Sequence, residues 1–246
     1  MPFVDFAPEI DVQAAEYHRL LGYPRDHELD DRAVELIDES RVWYAAHGRP
    51  WIYARETGDL RMSDGAVAVD GTFFRSGRLR ATLSDAMADR AILVAVSAGP
   101  ELEAEANRRW MDDKPDEYFF LEVYGAAVVE YLVTLAGARL CADADARGLA
   151  VLPHYSPGYP GWDIAEQGRL LELFSRDGEL PGALSVLESG MLRPKKSLLA
   201  VFGVTRETER VSKLTDLIPC ERCSLPRCQY RRSAYGRSGV RTRVAS

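Results

Sequence analysis

Two stretches of this chain carry residue types whose spacing could do chemistry. The first is His154-Tyr155-Ser156-Pro157-Gly158-Tyr159-Pro160-Gly161-Trp162. Its prolines and glycines fix an irregular path. Its tyrosines and tryptophan supply flat surface that can stack on an adenine, a corrin edge or a sulfonium cation. Asp163 and Glu166, at capping-box spacing, mark a helix that begins directly afterwards. A helix start offers free N–H groups and partial positive charge, which suit a carboxylate or a phosphate. From these properties alone the segment reads equally as a binding loop and as a structural corner.

The second stretch is Cys220-x2-Cys223-x4-Cys228, flanked by Pro219 and Pro226 and followed by Arg231-Arg232. Two cysteines two residues apart can chelate one metal across a tight turn, and a third nearly completes a tetrahedral thiolate site. Three readings stand open. Zinc would be a structural closure, with a fourth ligand such as Cys141, His154 or a partner's residue. A [4Fe–4S] cluster with one open position would supply electrons. The third is a set of reduced thiols. Cys141 itself reads as a small buried hydrophobe on a long helix. No Gly-rich phosphate loop and no Ser/His/Asp set with a persuasive context is present.

The elements that must position these groups follow from periodicity. Val12–Leu21 and Glu28–His47 repeat apolar residues at helical spacing, separated by Gly22-Tyr23-Pro24. Trp51–Tyr53, Ala66–Val69 and Thr72–Phe74 read as a small antiparallel meander, the last two joined by the hairpin turn Asp70-Gly71. A helix is expected around Leu79–Ala88, then a buried strand over Ala91–Ser97. Pro100 opens a helix through Trp110, and a long helix runs from about Pro115 to Ala146. Ser185–Leu187, Gly190–Leu192 and Leu198–Val204 read as strands of a second sheet region. The fold class expected is α+β, with one domain over 1–218, a cysteine-rich knuckle over 219–232 and a basic tail over 233–246.

Composition narrows the function. With 246 residues, 46% hydrophobic and 28% charged, the chain can bury a sizeable core. A net charge of −7 argues against a nucleic-acid binder, although Arg231, Arg232, Arg237, Arg241 and Arg243 lie in an acid-free tail. The N-terminus has Asp5, Glu9 and Asp11 rather than a basic, then apolar, leader. No run reads as a membrane span, since Glu130 interrupts Ala126–Leu135. A cytoplasmic location is expected, and with it reduced or metal-bound cysteines.

The residues also carry a resemblance. Ser156-Pro157-Gly158-Tyr159-Pro160, then Glu166-Gln167, Leu171 and Phe174, resembles a signature of the activation domain of cobalamin-dependent methionine synthase. Glu188-Ser189, Met191 and Pro194-Lys195-Lys196-Ser197 resembles that family's second signature, in the same order. Arg19-Leu20-Leu21-Gly22-Tyr23 and Ala91–Glu101 are similar to stand-alone versions. The likeness spans roughly Glu16–Val204. It implies helices packed around a twisted antiparallel sheet, and a domain that binds S-adenosylmethionine and docks over cobalamin held by a partner. That partner would be a cobalamin-dependent methionine synthase or another corrinoid methyltransferase. In the family, an electron from flavodoxin or a similar donor is coupled to methyl transfer, which rescues oxidised cobalt. By position, His154, Ser156, Gly158 and Tyr159 would line the site and Glu188 would brace the neighbouring strand or touch the ligand. The resemblance departs at His154, where the synthases carry arginine, a bidentate carboxylate clamp that imidazole does not match. The alternative reading is a docking partner of a corrinoid protein, or an iron–sulfur electron carrier, that does not use S-adenosylmethionine.

Overall fold

Uninterrupted apolar sequence decides the centre of the molecule. Arg90–Ser97 is buried at every position after the first, and Ser197–Thr205 at every position after Leu198. Strands that bury both faces need such runs of Val, Ile, Leu and Ala. These two, β6 and β10, pair antiparallel over their lengths, from Ser197 opposite Ser97 to Val204 opposite Arg90. On the other side of β6 lies β2 (Trp51–Glu56), with Trp51 opposite Ser97. With β1 (Phe3–Asp5) and β7 (Ala150–Val151) at the edges, the sheet order is β1-β2-β6-β10-β7. The computed structural model describes residues 2–22, 27–176 and 178–211. Tyr23 and Pro24, the cysteines Cys220, Cys223 and Cys228, the boundary at 218 and the basic tail therefore lie outside the described residues.

One face of the sheet is covered by helices. The long helix α5 (Pro115–Asp145) lies among α1 (Ala14–Leu21), α2 (Asp31–His47) and α4 (Pro100–Met111). Its Ala127, Val128, Leu132 and Ala136 share a core with Ile52, Val94, Val96 and Phe202 of the strands. By length and composition α5 could cross a membrane, but 56% of its most apolar window is buried inside the fold. Such a helix, apolar on several sides, is what a central core position requires. Caps set the starts: the Asp30 carboxylate accepts the Ala33 N–H at 2.7 Å, and Pro100 and Pro115 open their helices where no N–H is needed.

The other face carries the small elements. A meander of β3 (Leu60–Ser63), β4 (Ala66–Val69) and β5 (Thr72–Phe74) packs there with α3 (Gly77–Asp85) and α6 (Gln167–Ser175). The hairpin of β8 (Ser185–Val186) and β9 (Leu192–Arg193) completes the layer. Its core joins Phe74, Leu79, Trp162, Leu170 and Phe174 to Leu93, Leu199 and Val201 of the sheet. Asp70 and Gly71 both have positive φ, 46° and 76°, as a two-residue hairpin turn demands. The Asp70 carboxylate also accepts from the Gly58 and Asp59 N–H groups and pairs with the buried Arg55 at 2.9 Å.

The α+β class and most expected elements are present, with corrections to their pairing. Trp51–Glu56 belongs to the main sheet and not to the meander, whose third strand is Leu60–Ser63. Ser197–Thr205 is an interior strand of the main sheet, next to β6, and not part of a second one. Of the segments expected in that second sheet, Ser185–Val186 and Leu192–Arg193 pair as a separate hairpin. Pairing between strands about a hundred residues apart leaves no mark in local periodicity.

Candidate functional site

The segment from Leu149 onwards turns along the edge of β10. β7 pairs with Val204 and Thr205, and Tyr155 then extends the ladder by one bridge, exchanging hydrogen bonds of 2.9 and 2.8 Å with Val201. The following residues close on themselves. The Tyr159 N–H donates to Ser156 O at 3.1 Å, the Trp162 N–H to Tyr159 O at 2.9 Å, and the Gly158 N–H to Trp162 O at 2.9 Å. Two interlocked turns of this kind need left-handed backbone, which Gly158 (φ 90°) and Gly161 (φ 85°) supply without strain.

The aromatic side chains divide between core and surface. Trp162 is only 2% exposed and meets Phe74 edge to face at 5.5 Å, so it anchors the loop and presents no stacking face. Tyr155 lies parallel to it, and its hydroxyl donates to the Pro160 carbonyl. Tyr159 is half-buried, edge-on to Tyr155, and shares a 2.9 Å hydrogen bond with His154 Nε2. The His154 ring packs on Phe202 as well, and burial pushes its pKa down to about 4. It is a neutral, oriented loop histidine near pH 7. Among the described residues no group of His, Cys, Asp and Glu is arranged to hold a metal ion, so His154 has no partner ligands there.

Glu166 acts differently from the expected capping box. Asp163 does cap, its carboxylate accepting from the Ala165 N–H at 2.9 Å at the start of a 3-10 turn over Ile164–Glu166. Glu166 instead reaches across the fold. It accepts the Arg75 N–H at 3.0 and 3.2 Å and the Trp162 Nε1–H at 2.9 Å. The buried carboxylate thus ties the loop to the β5–α3 junction, with charge-assisted bonds satisfying it. The sequence carries little sign of this link beyond an acid, Glu166, spaced four residues from Trp162.

Of the expected site residues, Ser156 is buried at 3% exposure, and its Oγ has no hydrogen-bond partner. Gly158 is exposed, 3.6 Å (for a built Cβ) from Ile164 Cδ1. Glu188 is exposed in the turn between β8 and β9, and its carboxylate has no hydrogen bond or ion pair among the described residues. That turn abuts the loop: a Cβ on Gly190 would stand 2.9 Å from the Ile164 carbonyl oxygen. The two motif segments therefore meet where Gly190 approaches Ile164. Beside the junction Ile164, Leu187 and Met191 expose apolar side chains. A separate cavity of about 600 Å3 opens between Trp51, Glu101, Leu184 and Arg193, and none of residues 154–162 lines it.

This architecture is an α+β fold in which a curled antiparallel sheet carries helices on one face and small elements with a shaped loop on the other. No family model matches the chain, and no curated protein matches it. Among solved structures the chain is similar to the reactivation domain of MetH, in a crystal structure with AdoHcy bound. The TM-score is 0.57 with 13% sequence identity, covering 78% of this chain and 70% of that one. At that identity the likeness is one of fold.

Proposed function

We propose that this chain is a reactivation component: it binds S-adenosylmethionine beside the 154–162 loop and docks on a corrinoid protein. The partner is a cobalamin-dependent methionine synthase or a related methyltransferase, which holds the cobalamin. The observation that carries this reading is the junction at Ile164. Two segments that resemble successive signatures of one family are brought into contact by a fold similar to a domain whose structure holds AdoHcy. S-adenosylmethionine supplies a methyl group on a sulfonium, so the protein's own work is orientation and exclusion of water. Tyr159, steadied by His154, offers a ring edge and a hydroxyl to the ligand. Ser156 Oγ is a buried polar group without a hydrogen bond in the same turn, and Glu188 a spare acceptor next to the junction. Exposed Ile164, Leu187 and Met191 give a docking partner an apolar contact.

In the same reading the electron comes from flavodoxin or a similar donor. Cys220, Cys223 and Cys228, by their spacing, hold zinc or an iron–sulfur cluster. The test has two parts. Calorimetric titration of S-adenosylmethionine should give saturable binding. A corrinoid methyltransferase in its oxidised state, mixed with this protein, S-adenosylmethionine and a reductant, should regain the absorbance of methylcobalamin. No binding and no recovery rejects the proposal.

His154 motivates a second reading, a corrinoid-protein partner that docks without using S-adenosylmethionine. Capture of a corrinoid protein with no measurable S-adenosylmethionine affinity would select it.

A further inference from the structure

A ligand such as S-adenosylmethionine brings a carboxylate, and the position that opens the loop is an imidazole already engaged by Tyr159. The cations near this loop come from outside it, from the β5–α3 junction, α3 and α6. β5 ends at Phe74, whose ring turns into the core against Trp162, so the next residue, Arg75, emerges at the surface. Its backbone N–H is fixed on both oxygens of Glu166, which holds the root of its side chain against the end of the loop. Arg78 follows on the first turn of α3, its Cβ 3.4 Å from where a Cβ on Gly161 would stand. Arg169 of α6 reaches the same Glu166 carboxylate at 3.5 Å. Three arginines are thus rooted beside the segment Gly161–Glu166.

The acids of that segment are already used. Glu166 is held by the Arg75 N–H, Trp162 and Arg169, and Asp163 caps the 3-10 turn. Arg75 stands apart from its neighbours: it is exposed, and its guanidinium meets no acid or acceptor among the described residues. A planar guanidinium on a fixed stem, with its donors free, matches the two oxygens of a carboxylate.

We propose that Arg75 takes the α-carboxylate of S-adenosylmethionine, a specificity-determining contact supplied from the β5–α3 junction and not from residue 154. The inference rests on the reading that the 154–162 loop binds this ligand, and the experiment separates the two. S-adenosylmethionine and its decarboxylated form, which keeps the sulfonium and the amine, are titrated into the wild-type protein, Arg75→Gln and Arg75→Lys. The wild type should bind the carboxylated ligand more tightly. Arg75→Gln should weaken that ligand on the order of 10- to 100-fold and leave the decarboxylated one unchanged, with Arg75→Lys in between. The side chain is exposed, so all variants should keep the wild-type unfolding midpoint. Undiminished binding of S-adenosylmethionine by Arg75→Gln overturns the inference and leaves the binding site standing. Equal weakening of both ligands also overturns it, since Arg75 would then act through the shape of the loop. Failure of the wild type to bind either ligand rejects both inference and site.

Discussion

His154 and Tyr159 form a pair whose geometry depends on the imidazole remaining neutral. Burial depresses the His154 pKa from 6.5 to about 4, so the unfolded chain binds its proton more readily than the folded one. The sign is fixed by that difference. The contribution to stability is complete above pH 6.5 and is lost as the pH falls towards 4. Between pH 7 and pH 5 the wild-type protein should lose roughly 2 kcal/mol more than His154→Gln, read from urea unfolding at the two pH values. Equal losses would mean that the imidazole is protonated normally in the fold. Glu166 makes the complementary case. Its two oxygens face only donors, and the glutamine amide would turn an N–H group towards one of them. Glu166→Gln should cost about 1–3 kcal/mol, seen as a lower urea midpoint at unchanged slope.

At the scale of elements, the site depends on how closely the β8–β9 hairpin can approach the 3-10 turn. Gly190 has φ of 83° and leaves no room for a side chain, because the Ile164 carbonyl would lie 2.9 Å from a Cβ. Gly65, between β3 and β4, has a similar φ of 75° with nothing within 4 Å, and so isolates the backbone cost alone. Gly65→Ala should therefore lose about 1 kcal/mol. Gly190→Ala should lose more, roughly 2–3 kcal/mol, and should also weaken S-adenosylmethionine binding because the two motif segments are pushed apart. Equal effects of the two substitutions would show that the hairpin has slack at this contact. The central sheet behaves differently. Gly203 of β10 allows Leu83 of α3 and Leu152 to close over the strand at a point where a Cβ would meet them at 2.5 and 2.4 Å, so it serves packing alone.

For the whole molecule, the proposed role requires a partner, since the chemistry resides in a corrinoid that another protein holds. Ile164, Leu187 and Met191 lie next to the loop, so charged replacements there should abolish co-elution with a corrinoid methyltransferase while leaving S-adenosylmethionine titration intact. Metal analysis of anaerobically purified protein should find zinc or iron, and Cys220→Ser should reduce it. A metal-free wild-type protein would remove that part of the proposal. The 600 Å3 cavity at Trp51 is lined by Ser185 and Arg193 of the β8–β9 hairpin but by none of residues 154–162.

Much of this was written in local sequence. The periods of α2, α4 and α5, the uncharged run of β6, the Asp70-Gly71 turn and the irregular aromatic loop each follow from side-chain spacing and from the conformational habits of glycine and proline. These are short-range effects, and a chain displays them without knowing its fold. Which strands neighbour one another is a long-range matter: β2 joined the main sheet, and β10 took an interior place beside the central β6, because two-faced burial is decided by what covers each face. The same holds at the site. The sequence named His154, Ser156, Gly158, Tyr159 and Glu188, but only the folded chain carried Arg75 to the loop, buried Trp162 beneath it and set Glu166 between them. Those contacts span some ninety residues and arise from packing, which no local pattern encodes.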